Sequence, residues 1–177
     1  SDVYKRQGNI DITASLFISD DANLLTLTAA NKINIASDIT RAYGGDIVLN
    51  AATIIGTSDI DLNGGDLTVN QSGNSTYSGQ INKGSGNFIK DGAGVLTMSD
   101  ANTYSGDTEI RAGTLQVSGL LSDDTNVVIT SGATYELSAD DIIGSVSGAG
   151  SINLSNYILT AGNASNQTMS GIVSGTG

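Results

Sequence analysis

Gly94-Val95-Leu96-Thr97-Met98 returns as Gly113-Thr114-Leu115-Gln116-Val117, then as Thr134-Tyr135-Glu136-Leu137, then as Gly150-Ser151-Ile152-Asn153-Leu154. Apolar and polar side chains alternate in each copy, the period of an extended strand with one face buried. Their central residues Leu96, Leu115, Tyr135 and Ile152 stand 19, 20 and 17 residues apart. Upstream, Leu25-Thr26-Leu27-Thr28-Ala29 comes back 22 residues later as Ile47-Val48-Leu49-Asn50-Ala51, and 20 further on as Leu67-Thr68-Val69. The triplet Ile33 to Ile35 is followed 22 residues on by Ile55, and Ile39 is followed 21 on by Ile60. Short strands at a nearly constant step, with no helical stripe between them, predict an all-β fold, a parallel β-helix or β-solenoid with coils of about 20 residues. A β-sandwich also alternates short strands with turns, but its packing gives no reason for one strand to recur at a fixed distance.

Composition agrees. The 177 residues include 23 Gly and no Pro, Cys, His or Trp. Sixteen of the 18 acids are Asp, a turn former, whereas the helix former Glu occurs twice. A single coil cannot stand alone, because its few aliphatic side chains do not offset the entropy of ordering about 20 residues. Stacking must supply the difference, and about eight coils would make a rod about 40 Å long. The residues Ser1 to Gln7 fit none of this patterning and hold two of the seven cations, Lys5 and Arg6. They read as a non-native N-terminal addition, and residues 8–177 as one continuous segment of a longer chain.

Absence of His and Cys removes the commonest bases, nucleophiles and zinc ligands. The net charge of -11 repels phosphate backbones, so nucleic acid is not an expected partner. No apolar run approaches a membrane span, and no membrane contact by this segment is expected.

The stretch Phe88-Ile89-Lys90-Asp91-Gly92-Ala93-Gly94-Val95-Leu96-Thr97-Met98, continued by Ala101-Asn102-Thr103-Tyr104-Ser105-Gly106-Asp107-Thr108-Glu109-Ile110-Arg111-Ala112-Gly113-Thr114-Leu115-Gln116-Val117, closely resembles the autotransporter-associated β-strand repeat. Asp100 and Asp107 stand where that repeat usually has Gly. Thr76-Tyr77-Ser78-Gly79 and Thr168-Met169-Ser170-Gly171 resemble further copies of its segments, and Ile142 to Gly150 resembles a turn of the same passengers. Residues 8–72 are more similar to filamentous-haemagglutinin adhesin coils, through Asp46-Ile47-Val48-Leu49-Asn50-Ala51, and 73–177 to autotransporter repeats. The resemblance implies a right-handed parallel β-helix in the secreted, surface-exposed passenger of a Gram-negative bacterium. It also implies a parent anchored by an outer-membrane β-barrel or exported by a partner transporter, with host or neighbouring-cell glycans or proteins as partners.

Within the repeat, Leu96, Met98, Ile110, Leu115 and Val117 are expected to point inward, and Thr97, Glu109 and Gln116 outward. Gly92, Gly94, Gly106 and Gly113 are expected at corners. Asn102 is expected to stack or to cap a turn through its amide, and Tyr77 and Tyr104, at equivalent places, to be core anchors rather than the alternative of exposed recognition rings. Three acidic pairs, Asp20-Asp21, Asp123-Asp124 and Asp140-Asp141, have the chemistry to bind calcium but read as solvated turns. Gly64-Gly65-Asp66-Leu67 lacks the second half of a calcium β-roll motif. Asp59 and Asp61 alternate with core residues as an ordinary outer face rather than as a lyase or glycosidase pair. The sequons at Asn70, Asn74, Asn153, Asn163 and Asn166 are expected by chance in a chain so rich in Asn, Ser and Thr. Gly84-Ser85-Gly86 lacks the strand and helix of a phosphate loop. No catalytic, cofactor-binding or metal-binding residue is therefore assigned. The expected role is a non-enzymatic adhesin stalk, the alternative being a polysaccharide-active β-helical enzyme whose site lies mostly outside these residues.

Overall fold

The computed structural model describes residues 2–19, 24–82, 84–162 and 167–177. All regular structure among them is β, in strands of two to six residues paired in parallel. The chain winds as a β-solenoid with three faces. The first face is an eight-stranded sheet from Asp2–Arg6 to Ser145–Gly148, and the second a nine-stranded sheet from Ile10–Ile12 to Val173–Ser174. On the first face the register steps from Leu25 to Ile47, Leu67, Phe88, Thr108, Val127 and Val146, giving coils of 22, 20, 21, 20, 19 and 19 residues.

Alternation explains what is buried. Leu24–Ala29 buries every second side chain, and so do Val95–Met98, Thr114–Val117 and Thr134–Leu137. Because the strands are parallel and in register, each inward residue lands on the inward residue of the next coil. Leu96, Leu115, Tyr135 and Ile152 form one such column. Leu96, Met98, Ile110, Leu115 and Val117 are all 2% exposed or less, while Thr97, Glu109 and Gln116 sit half-buried on the outer surface between neighbouring coils. One spacing is corrected: Ile33 pairs with Ile54, and Ile55 is the outward partner of Asn34. Ile54 and Ile55 are both apolar, so the string by itself permits a slip of one residue that only the ladder removes.

Corners follow turn chemistry. Gly92 and Gly113 have positive φ, and at Gly94 and Gly106 a Cβ would fall onto the carbonyl of the preceding coil.

The third face is discontinuous. Leu16–Ile18, Ile39–Arg41, Ile60–Asp61 and Ile81–Asn82 form a four-stranded sheet that stops where the autotransporter-like repeat begins. A two-stranded sheet, Asp141–Ile143 with Leu159–Ala161, resumes it. Between them the bridge from Ala101 to Leu120 and the bond from the Thr103 N–H to the Ile81 carbonyl keep some backbone pairing, and side chains supplement the interrupted ladder.

Candidate functional site

Two surfaces qualify as candidates: the polar staples inside the repeat and the lateral faces that meet solvent. The interior around Leu49, Ile60, Tyr77, Phe88 and Met98 leaves a void of only about 10 Å³. That is about one water, so no substrate enters the core there. On the second face Asn74, Ser75, Thr76, Val95, Thr97 and Gln116 line a shallow polar groove.

The strands of the repeat position several buried polar groups. Lys90 occupies an inward place between Val69 and Ile110 and has no exposed surface. Its ammonium donates to the carbonyls of Asp91 at 2.8 Å, Gly92 at 2.7 Å and Ala112 at 3.1 Å, tying two coils at one corner. Burial pulls it down to about 8, against the opposing pull of Asp91. The unfolded lysine keeps its ordinary 10.5, so between these values the unfolded chain binds more protons and stability rises with pH. Urea unfolding at pH 8 and pH 9.5 should therefore give a higher midpoint at the higher pH, and Lys90→Met should flatten that rise; an unchanged slope in the variant would assign the effect elsewhere. Above that window the buried phenols of Tyr77, Tyr104 and Tyr135, all pushed up mainly by burial, reverse the trend as unfolded tyrosines ionise.

Asn102 does the work of a missing strand. Its Oδ1 accepts from the Ile81 N–H at 3.0 Å, while its Nδ2 donates to the carbonyls of Asp100 and Leu120, both at 2.9 Å. Three successive coils meet at one amide. Asn102→Ala strands a buried N–H and leaves two carbonyls without this donor, so a loss of about 2–4 kcal/mol is expected in chemical denaturation. A loss below about 0.5 kcal/mol would mean that water takes over these bonds.

Two more staples follow. Tyr104, fully buried beside the Phe88 ring at 6.0 Å, shares a 2.6 Å bond with Thr108, which bonds Thr125 at 2.9 Å. Tyr135 donates to Asp141 at 2.6 Å, and the N–H groups of Leu121 and Ile142 donate to the same carboxylate at 3.2 and 3.0 Å. Burial raises the Asp141 carboxyl above its usual range, and these three donors partly restore it.

One of the three anticipated acid pairs is split by these roles. Asp141 points inward at 2% exposure, whereas Asp140 stays exposed and caps the Ile158 N–H at 2.9 Å. Asp123 and Asp124 are exposed side by side on a turn, and Asp20-Asp21 lies outside the described residues. Among the described residues no group of three acids, His or Cys is placed to hold a metal ion. Asp59 accepts from the Gln80 N–H at 2.9 Å, as Asp38 accepts from the Asp59 N–H at 3.0 Å. A second column runs through Asp46, Asp66, Asn87 and Asp107, each side chain accepting the next residue's N–H at 2.8–3.0 Å. The excess of Asp over Glu has its cause here, since the short carboxylate reaches the next coil's N–H without a long rotamer-rich stem. On the second face Thr97, Gln116, Glu136 and Asn153 bond one to the next along the rod. The amides of Asn70, Asn74 and Asn153 are engaged in similar inter-coil bonds, and Asn163 and Asn166 lie outside the described residues.

Tyr77 and Tyr104 are both anchors, but their places differ. Tyr77 stands in register with Met98 on the second face and donates to the Ser58 carbonyl at 2.5 Å, whereas Tyr104 precedes the first-face strand Thr108–Ile110. The third string, with Met169, bridges Gly148 beside the first face. The same four-residue string therefore serves three positions of the coil. Lys90, Gln71 and Asp141 were not singled out as buried from the sequence. Lys90 was within reach, because the alternation starting at Phe88 makes position 90 inward.

Comparison with known proteins agrees with this architecture. The passenger-associated-transport-repeat family matches residues 88–117, the stretch of about one and a half coils that holds Lys90, Asn102 and Tyr104. Over 162 residues, 88% of this chain, the sequence is 31% identical to the adhesin BmaC autotransporter of Brucella suis biovar 1 (strain 1330), of which it covers 4%. Over 140 residues, 74% of the chain, it is 28% identical to the uncharacterized protein YuaQ of Escherichia coli (strain K12), covering 10% of that protein. The chain thus spans a small part of the length of the curated relatives it matches. No solved structure matches it significantly. A coil repeated in register, the repeat at 88–117 and a likeness along most of the chain to part of an autotransporter together support an autotransporter passenger with passenger-associated repeats.

Proposed function

We propose that the chain is a rigid, acidic stalk segment of a surface-exposed adhesin, a non-enzymatic part of a passenger held at the outer membrane of a Gram-negative bacterium. The observation that carries this reading is the filled interior: buried side chains stack from Ile12 to Ile152 along the rod. Asn102, Lys90 and Asp141, buried beside them, close coil-to-coil bonds. The printed name of the Brucella relative, an adhesin, supports the same direction. In this reading residues 1–7 are a non-native addition, although Asp2–Arg6 pairs in register on Leu25–Ala29 and extends the first face, residues 8–72 and 73–177 are two stretches of one rod, and the parent supplies a β-barrel or uses a partner transporter. Glycans or proteins of host or neighbouring cells are the partners of the whole passenger.

Fab fragments raised against the chain test this on intact cells of the source bacterium. Labelling of unbroken cells, and reduced attachment after in-frame deletion of the segment from its parent gene, are the expected results. Labelling that requires lysis would overturn the surface reading, and attachment unaltered by the deletion would overturn the support of adhesion.

A further inference from the structure

The third face carries exposed apolar side chains at the Ala101–Leu120 bridge and where its ladder resumes. Leu120, Ile142 and Ile158 are 45%, 52% and 60% exposed. Backbone bonds place them on three successive coils: the Leu120 N–H meets the Asp100 carbonyl, the Leu121 N–H meets the Asp141 carboxylate, and the Asp141 N–H meets the Ile158 carbonyl. At about 4.8 Å per coil the three lie within about 10 Å along the rod. Ile142 pairs with Thr160 and the Asp140 carboxylate accepts the Ile158 N–H, so the three aliphatics are interspersed with polar side chains in one mixed patch.

Charge states what fits there. From residue 112 to the end the sequence holds Asp123, Asp124, Glu136, Asp140 and Asp141 and no Lys or Arg. Asp123, Asp124 and Asp140 are exposed on the loops that border the cluster, and Asp100 lies on the coil beneath Leu120. A second copy of this chain, itself at -11, would bring like charge against like. Neutral sugars stack on aromatic rings, and the cluster has none. We infer that the third face around Leu120, Ile142 and Ile158 is a docking surface for a cationic amphipathic polypeptide segment, whose aliphatic side chains cover the cluster while its Lys or Arg side chains meet the bordering carboxylates. This goes beyond the stalk reading and does not depend on it, because the isolated chain would bind whether or not the parent mediates adhesion.

The test is fluorescence anisotropy with a labelled amphipathic leucine–lysine peptide and the 177-residue chain. Binding should weaken steeply as salt is raised. The triple variant Leu120→Ser, Ile142→Ser, Ile158→Ser should weaken it at least about tenfold, a loss of about 1.4 kcal/mol. Asp123→Asn with Asp124→Asn should lower both affinity and salt dependence. Phe17→Ser, which removes a 64% exposed ring from the same face at the other end of the rod, should leave binding unchanged. All substituted side chains are exposed, and unaltered melting of each variant is required for the comparison. Absence of binding, equal loss in Phe17→Ser, or affinity indifferent to the triple variant would overturn the inference. Dimerisation of the chain in sedimentation velocity, abolished by the triple variant, would overturn it in favour of a second copy.

Discussion

Leu115→Asp is expected to abolish cooperative folding of the coils around residues 88–143. Leu115 has no exposed surface and lies between Leu96 and Tyr135 in a continuous column. Truncating a buried leucine costs about 3–5 kcal/mol through lost contacts and the remaining cavity. The carboxylate adds several kcal/mol for burial without a partner, since its column neighbours are the Leu96 side chain and the Tyr135 ring, whose hydroxyl is already bonded to Asp141. In a solenoid each coil contacts only those beside it, so the damage should begin in the adjacent coils and leave distant ones folded. Circular dichroism should show a partial loss of β signal, and limited proteolysis should cut first within this region. Gln116→Asp, one residue along but outward, should cost less than about 1 kcal/mol and serves as the control. Equal melting of Leu115→Asp and the parent chain would refute the inward column.

The second large effect is expected at Gly113. Its φ is +67°, a left-handed conformation, and a Cβ there would lie 2.5 Å from the carbonyl oxygens of both Gly92 and Gly94. Gly132 has φ of +87° with nothing within 4 Å of such a Cβ. The two positions separate conformational strain from close approach. Gly132→Ala should cost only the left-handed penalty, about 1–2 kcal/mol. Gly113→Ala should cost about 3–5 kcal/mol, because backbone of the preceding coil must also move and that backbone is held in the stack. Comparable losses at the two sites, measured by urea unfolding, would mean that the coil spacing at Gly113 adapts freely.

Particular residues mark how far the sequence carries. The alternation at Leu25, Leu27, Leu96, Leu115 and Ile152 is a local property of an extended backbone, in which successive side chains point to opposite faces. It was legible from one strand at a time, and its recurrence predicted the solenoid. The family likeness at 88–117 was legible for the same reason, being carried by contiguous residues. Tyr77 and Tyr104 lie at the opposite limit. Their surrounding strings are nearly identical, yet one closes a second-face strand and the other precedes a first-face strand, because the strings stand 27 residues apart while the coil from Tyr77 to Met98 takes 21, which carries the second string six residues further round the rod. No local signal reports that shift.

The buried polar groups make the same point. Asp140 and Asp141 are chemically alike and adjacent, but one faces water while the other receives Tyr135, Leu121 and Ile142. Asn102 acts through Ile81 and Leu120, each about one coil away in sequence. By itself the sequence determined the fold class, the coil length, most of the core and the acidic, His-free and Cys-free surface, because these depend on local alternation and composition. Only the tertiary structure decided the register between coils, the break in the third face, the inward turn of Lys90 and Asp141 and the apolar cluster at Leu120, Ile142 and Ile158. Each of these depends on which residues of three successive coils are stacked, and stacking is a property of the assembled rod rather than of any one strand.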